Sequence, residues 1–345
     1  FTPEEVTATV LGQLRASAEA ALRETITGAV LAYPSHFNEA QRQGLRDAAR
    51  QAGLTLYQCV SEPAAAQLAY DAALTHAALA GTDVNRLLID LGGNSLRVHA
   101  YAVRGGLYTR LASQQANGLG GRALDRALAA HLQREFERRH RIDLSDRPRS
   151  IAKLVLACEA TRRSLGMRQS APCSVESIAD GMDLNVNVHR AVFESAVAPI
   201  VQQCMAVIDA VLAEAGWTAT ADEENAKVRT SGPDEVLLLG GASRLPVFQS
   251  RLRARFTRPE TRIRTEVEPD EAVALGCAVQ AGLIAECPEL CPVSVSAASD
   301  PIVDALQEDL SPAAVPHLAH AVGVLDANQV FHVVLPAGTP LPTKR

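Results

Sequence analysis

The residues best suited to chemistry stand together in Asp90-Leu91-Gly92-Gly93-Asn94-Ser95. Asp90 follows the apolar run Leu87-Leu88-Ile89, which reads as a buried strand. A carboxylate at a strand end stands where the chain surfaces. Gly92 and Gly93 carry no Cβ and accept φ > 0, so their N–H groups can approach an anion closely. Ser95 adds a hydroxyl donor. These features suit a nucleotide phosphate with hydrated Mg²⁺, an ion that prefers carboxylate oxygen and keeps most of its waters. A Gly-Gly pair after a strand also serves as a plain tight hairpin, so this stretch needs support from elsewhere.

Two further turns supply that support. Leu119-Gly120-Gly121 precedes a helical pattern of Leu124, Ala127, Leu128, His131, Leu132 and Phe136. Val236-Leu237-Leu238-Leu239-Gly240-Gly241-Ala242-Ser243-Arg244 repeats the order of strand, Gly-Gly and hydroxyl. A repeated strand–turn unit predicts a duplicated domain. Two such turns facing one another would clamp a nucleotide from both sides.

The elements that must hold these turns are legible in outline. Thr2-Pro3-Glu4-Glu5 is a capping signal, and Val6, Val10, Leu14, Ala18 and Ala21 then share one helical face. A strand over 29–33 stops at Pro34. Asn38 caps a helix to Gln51, with Gly53 past its end. A strand over 54–60 leads into Glu62-Pro63 and a helix to residue 73, and 71–85 reads as a loop or frayed end. A strand over 95–103 turns at Gly105-Gly106 into 107–113. Helices are expected over 121–140, 149–165 and 189–216. A small β segment over 173–188 turns at Asp180-Gly181. After a polar loop over 219–233, a helix is expected over 244–256, a short strand over 263–267 and a helix from Glu268 to 285. A lone strand over 329–335 closes the reading.

Composition narrows the classes. The chain has 345 residues, 47% hydrophobic, with a net charge of −6. That length supports two or more domains, and the acidic balance argues against nucleic acid as a main partner. No apolar run reads as a membrane span of about 20 residues, and no signal peptide is visible, so no membrane partner is expected. Seven cysteines, spread singly, fit a reducing compartment, hence the cytosol. Cys287 and Cys291, with His317 and His320, lack the tight pairs usual for zinc.

The motifs resemble the nucleotide-binding domain of the seventy-kilodalton heat-shock chaperones, the DnaK-type or Hsp70 family. Those that carry the resemblance are Pro34-Ser35-His36-Phe37-Asn38-Glu39-Ala40-Gln41-Arg42, Glu62-Pro63-Ala64-Ala65-Ala66, Asp90-Leu91-Gly92-Gly93, Glu159-Ala160-Thr161-Arg162-Arg163-Ser164, Gly240-Gly241-Ala242-Ser243-Arg244-Leu245-Pro246 and Pro269-Asp270-Glu271-Ala272-Val273. Ala64 departs from the family's usual Thr. The resemblance implies an α/β, actin-like (ribonuclease-H-like) duplicated fold, two lobes around an ATP cleft. It covers residues 1–285. Residues 286–345 would be a linker and the start of a substrate-binding β-domain, which Leu335-Pro336-Ala337-Gly338-Thr339-Pro340-Leu341-Pro342 resembles. It implies ATP or ADP with Mg²⁺ as cofactors. Glu62 would position water and metal, and Asp90 would hold hydrated Mg²⁺; these are the catalytic pair. Gly92, Gly93, Asn94 and Ser95 would line the phosphates, with Gly120 and Gly121 nearby. Glu159, Arg162 and Arg163 would flank the adenosine. Gly240, Gly241, Ser243 and Arg244 would close the base side, and Asp270 would lie behind the metal. Pro34 and Arg42 would serve communication between domains.

Two departures bear on activity. Arg97 stands where the family pattern carries an acid, three residues after Asn94. Gly166 replaces an adenosine-contacting Ser. The family's first phosphate loop and catalytic lysine also lie upstream of the residue matching Phe1, so the chain reads as a fragment, truncated at both ends. Within the family the details are similar to the non-standard, ribosome-associated branch. That branch implies a J-domain co-chaperone, the ribosome and nascent polypeptides as partners, and weak or dispensable ATP turnover. The rival readings are an ATP-hydrolysing chaperone that cycles on peptides and an actin-fold small-molecule kinase.

Overall fold

The computed structural model describes residues 1–26, 28–73, 83–220, 232–286, 322–325 and 331–335. Contacts divide the chain into two units. The first comprises residues 1–83, 102–109 and 266–345, the second residues 84–101 and 110–265.

In the first unit, helix boundaries follow their caps. Helix α1 (Pro3–Leu22) starts at the Thr2 capping box, where the Glu5 N–H donates to Thr2 Oγ1 and the Thr2 N–H donates to Glu5 Oε2. Helix α2 (Glu39–Gln51) starts at an equivalent box formed by Asn38 and Gln41. Strands β1 (Ala29–Tyr33) and β2 (Leu56–Ser61) pair in parallel. Helix α3 (Glu62–Ala72) follows β2 directly, and helix α8 (Ala272–Glu286) packs on it. The packing is close: a Cβ on Gly276 of α8 would fall 1.7 Å from the Ala65 carbonyl oxygen. The run of small residues Ala64-Ala65-Ala66 makes that approach possible. The apolar row on α1 faces outward, with Val6 and Val10 54% exposed and Leu14 60%. The inward face instead carries Ala8, and α1 meets α2 where Gly44 receives the Glu4 side chain.

The second unit is organised on a five-stranded sheet in the order β5-β4-β3-β8-β9. Its strands are β3 (Val84–Leu91), β4 (Ser95–Arg104), β5 (Leu107–Asn117), β8 (Glu235–Leu239) and β9 (Arg262–Arg264). Leu87 and Ile89 of β3, Leu96 and Val98 of β4, and Val236 and Leu238 of β8 join one core. Helices α4 (Gly121–His140), α5 (Pro148–Leu165), α6 (Arg190–Glu214) and α7 (Pro246–Arg255) contribute to it. Strands β6 (Ser170–Ala179) and β7 (Met182–His189) form an antiparallel hairpin against α5.

Four expectations need correction. Residues 241–244 form a 3-10 turn, and α7 starts at Pro246, because a proline suits the first helical position. The final strand is not alone: β11 (Phe331–Leu335) pairs antiparallel with β10 (Val322–Leu325). The polar stretch 107–117 continues as strand past residue 113 because β4 offers it a partner. Finally, α6 is long and apolar enough to cross a membrane by length and composition. Its row Phe193, Val197, Val201, Cys204, Ile208 and Val211 is instead buried in the protein core. The 336–342 motif and the Cys287, Cys291, His317 and His320 set lie outside the described residues.

Candidate functional site

β3 and β8 run parallel with Asp90 opposite Leu239. The first and last Gly-Gly turns therefore leave the same end of one sheet, side by side in the second unit. The expectation that they face one another from two halves is corrected by this pairing. In sheets of this kind ligands bind outside the carboxyl ends of the strands. Gly240 turns with φ +77, and a Cβ there would meet the Leu91 carbonyl oxygen at 2.4 Å and Asp90 Oδ1 at 2.7 Å. Glycine alone lets the chain leaving β8 pass so close to the end of β3.

The remaining turn is tied to the first by backbone. The Gly92 N–H donates to the Ser95 carbonyl at 3.1 Å. The Gly121 N–H donates to the Gly92 carbonyl at 2.9 Å, the Arg122 N–H to the Gly93 carbonyl at 2.8 Å, and the Gly118 N–H to the Asn94 carbonyl at 2.8 Å. The amino end of α4 thus holds the carbonyls of the first turn. A Cβ on Gly120 would strike this joint, 2.8 Å from the Gly92 oxygen. Gly93 is different: it is exposed, and a Cβ there would meet nothing within 4 Å. An anion can approach the turn at Gly93 and Asn94, both exposed, with Ser95 half-buried beside them.

Other expected site residues take distinct places. Ser243 is fully buried, and its hydroxyl donates to the Gly240 carbonyl at 2.7 Å, closing the turn. Gly241 and Arg244 on either side of Ala242-Ser243 are exposed. Glu159 and Arg163 pair at 2.6 Å along the exposed side of α5. Arg162 is buried, and its Nε and Nη2 donate to Asp125 Oδ1 and Oδ2 at 2.6 and 3.3 Å. This fork joins α5 to α4, and Gly121 is small where it packs: a Cβ there would stand 3.1 Å from Arg162 Nη2. Arg162 therefore braces the α4 amino end. Its partner Asp125, 37 residues away, carries no local signal beyond an inward helix position next to Leu124. In the first unit, Glu62 is half-buried as the first residue of α3, and Asp270 is exposed in the turn before α8.

The electrostatics centre on Asp90 and Arg97. Arg97 lies two residues after Ser95 on β4, hence on the same strand face. Its Nη1 donates to Asp90 Oδ2 at 3.3 Å, with the side chains 17% and 23% exposed. A Mg²⁺ held at Asp90 would share the carboxylate with this guanidinium, and charges of +2 and +1 about 7 Å apart repel by about 1 to 5 kcal/mol between bulk-water and near-surface dielectric. The turns fit a nucleotide phosphate; the carboxylate, already met by a cation, fits a divalent ion poorly. Among the described residues no group of three or more His, Cys, Asp or Glu is placed to hold a metal ion.

Strands that end in glycine turns around a carboxylate fit the actin-like nucleotide-binding domain that the resemblance implies. A family profile described as "Hsp70 protein" matches residues 1–294. "Heat shock 70 kDa protein BIP3" of Oryza sativa subsp. japonica is 33% identical over 345 residues, covering 100% of this chain and 46% of that protein. "Heat shock 70 kDa protein 14" of Danio rerio is 32% identical over 346 residues, covering 100% and 63%. A "Ribosome-associated molecular chaperone" of Saccharomyces cerevisiae is 31% identical over 343 residues, covering 99% and 51%. The chain belongs to the Hsp70 family of chaperones, whose members in general bind ATP or ADP with Mg²⁺. It spans 46% to 63% of the length of these relatives.

Proposed function

We propose that the chain is the nucleotide-binding part of an Hsp70-type chaperone subunit that binds ATP or ADP at the glycine turns and turns ATP over weakly or not at all. The observation that carries this reading is the Arg97–Asp90 contact at 3.3 Å beside three turns at one sheet end. The turns supply close backbone approach for phosphate. The guanidinium stands where a metal-assisted mechanism needs negative charge to hold and orient hydrated metal. Glu62 and Asp90 would position water, Glu159 and Arg163 would flank the adenosine, and Gly241 and Arg244 would close the base side. Arg162 would act through α4 rather than on the nucleotide.

The proposed setting is the cytosol, with a J-domain co-chaperone, acting at the ribosome on nascent chains. The relative named a ribosome-associated chaperone supports this, as do the free thiols of Cys59, Cys158, Cys173, Cys204 and Cys277. The test is calorimetric titration of the chain with ADP. Binding is expected, and Gly93→Ala should weaken it at least tenfold with an unchanged melting temperature, since its Cβ would meet no protein atom within 4 Å and would intrude on a phosphate approaching the turn. No binding by the parent chain, or full binding by the variant, sinks the nucleotide reading. Co-sedimentation of the full-length protein with ribosomes and a J-domain partner tests the setting separately.

A further inference from the structure

We propose that the guanidinium of Arg97 is a resident counter-cation, so that this site takes a nucleoside di- or triphosphate free of divalent metal. The inference rests on the nucleotide reading above and concerns its cofactor requirement. Asp90 lies at the end of β3, and its Oδ2 accepts from Arg97 Nη1 at 3.3 Å. Both side chains are mostly withdrawn from water, at 17% and 23% exposure, so neither charge is fully screened by solvent. The pairing has a structural cause. Ser95 and Arg97 share one face of β4, while Leu96 and Val98 fill the core on the other. The turn closed by the Gly92–Ser95 hydrogen bond folds β4 back along β3, which brings Arg97 to the Asp90 carboxylate across the hairpin.

This arrangement changes what a polyphosphate meets. A carboxylate alone would repel phosphate and recruit a hydrated divalent ion to mediate. A carboxylate bonded to arginine is locally neutral, and the guanidinium is a planar donor suited to phosphate oxygens. The cation is covalently part of the strand, so no ion needs to be captured with the nucleotide. A second cation at Asp90 would meet like charge. The donor that the phosphates meet is then fixed in the protein, where an unpaired carboxylate would repel them, and removing free Mg²⁺ leaves it in place.

The test is ADP binding by the chain in excess Mg²⁺ and in excess EDTA. The dissociation constants are expected to agree within about threefold. Arg97→Asp should bind ADP with Mg²⁺ and lose at least tenfold in EDTA, with its folding checked by thermal melting. A tenfold or greater loss for the parent chain in EDTA overturns the proposal while leaving nucleotide binding intact. Equal EDTA tolerance of Arg97→Asp also overturns it, because the cation would then lie elsewhere. No ADP binding under either condition removes the nucleotide reading and this inference together. Should the variant fail to fold, a Mn²⁺ titration followed by electron paramagnetic resonance decides on the parent chain. Protein with ADP should deplete free Mn²⁺ no more than ADP alone, and extra uptake refutes the resident cation.

Discussion

Replacing Gly240 by alanine should destabilise the second unit by a calculable amount. Gly240 has φ +77 and ψ 140, a conformation close to one that only glycine occupies freely; a residue with a Cβ there costs about 1–3 kcal/mol. The added carbon would also stand 2.4 Å from the Leu91 oxygen, 2.6 Å from its carbon and 2.7 Å from Asp90 Oδ1. None of these is the movable end of a long flexible side chain; two are backbone of a central strand. The ends of β3 and β8 must part, weakening the register at Asp90 and Leu239. Overpacking of this kind adds about 1–3 kcal/mol. The sum, about 2–6 kcal/mol, lowers the melting temperature by about 4–24 °C at roughly 2–4 °C per kcal/mol for a unit of this size. Thermal unfolding followed by circular dichroism measures it, with Gly93→Ala as the control because its Cβ meets nothing. If Gly240→Ala melts within about 2 °C of Gly93→Ala (about 1 kcal/mol or less), the close passage of β8's turn over β3 is not as described, and the side-by-side site falls with it.

Two further perturbations read other parts of the second unit. Arg162→Met strands the buried Asp125 carboxylate, and loss of one partner of a buried pair costs about 3–5 kcal/mol; the double variant Asp125→Leu/Arg162→Met should recover at least half of that in urea unfolding. His99 is buried, with Nδ1 2.8 Å from Ser113 Oγ. Burial, and then the Arg110 and Arg97 charges, hold its pKa down at about 4 rather than 6.5. The folded state thus stays neutral where the unfolded chain takes up a proton. Stability is full above about pH 6.5 and falls towards pH 4, by a total of about 3 kcal/mol at 1.36 kcal/mol per unit. Denaturant midpoints across that range should show the slope, and His99→Gln should flatten it; an identical slope in the variant assigns the acid sensitivity to other groups.

What could be read from the sequence divides along the reach of the interactions involved. Local signals located the elements: the Thr2–Glu5 and Asn38–Gln41 boxes, Gly53 at φ +69 past α2, and the Gly105-Gly106 and Asp180-Gly181 turns. Each depends on groups a few residues apart, so composition in a short window suffices. The apolar row of α1 misled because periodicity reports a face without saying what covers it, and here small residues make the α1–α2 contact. The two strand–Gly-Gly units looked like halves of a repeat because nothing local says that β3 and β8 are parallel neighbours; that fact lives in a sheet register across 149 residues, as the Arg86–Glu235 bond spans. The Arg162–Asp125 fork likewise joins residues 37 positions apart, beyond any local window. Arg97 is the instructive middle case. Its unusual charge was visible as a departure from a family pattern, yet charge alone admitted either a solvent-facing side chain or one aimed at the nucleotide. A hairpin that returns Arg97 to Asp90, seven positions earlier, turns the side chain to the strand-end acid. Folding β4 against β3 leaves the arginine on Ser95's face, within reach of the strand-end acid. The chemistry of the site therefore turns on a short-range geometric consequence of one residue, and membership of the family does not transmit it.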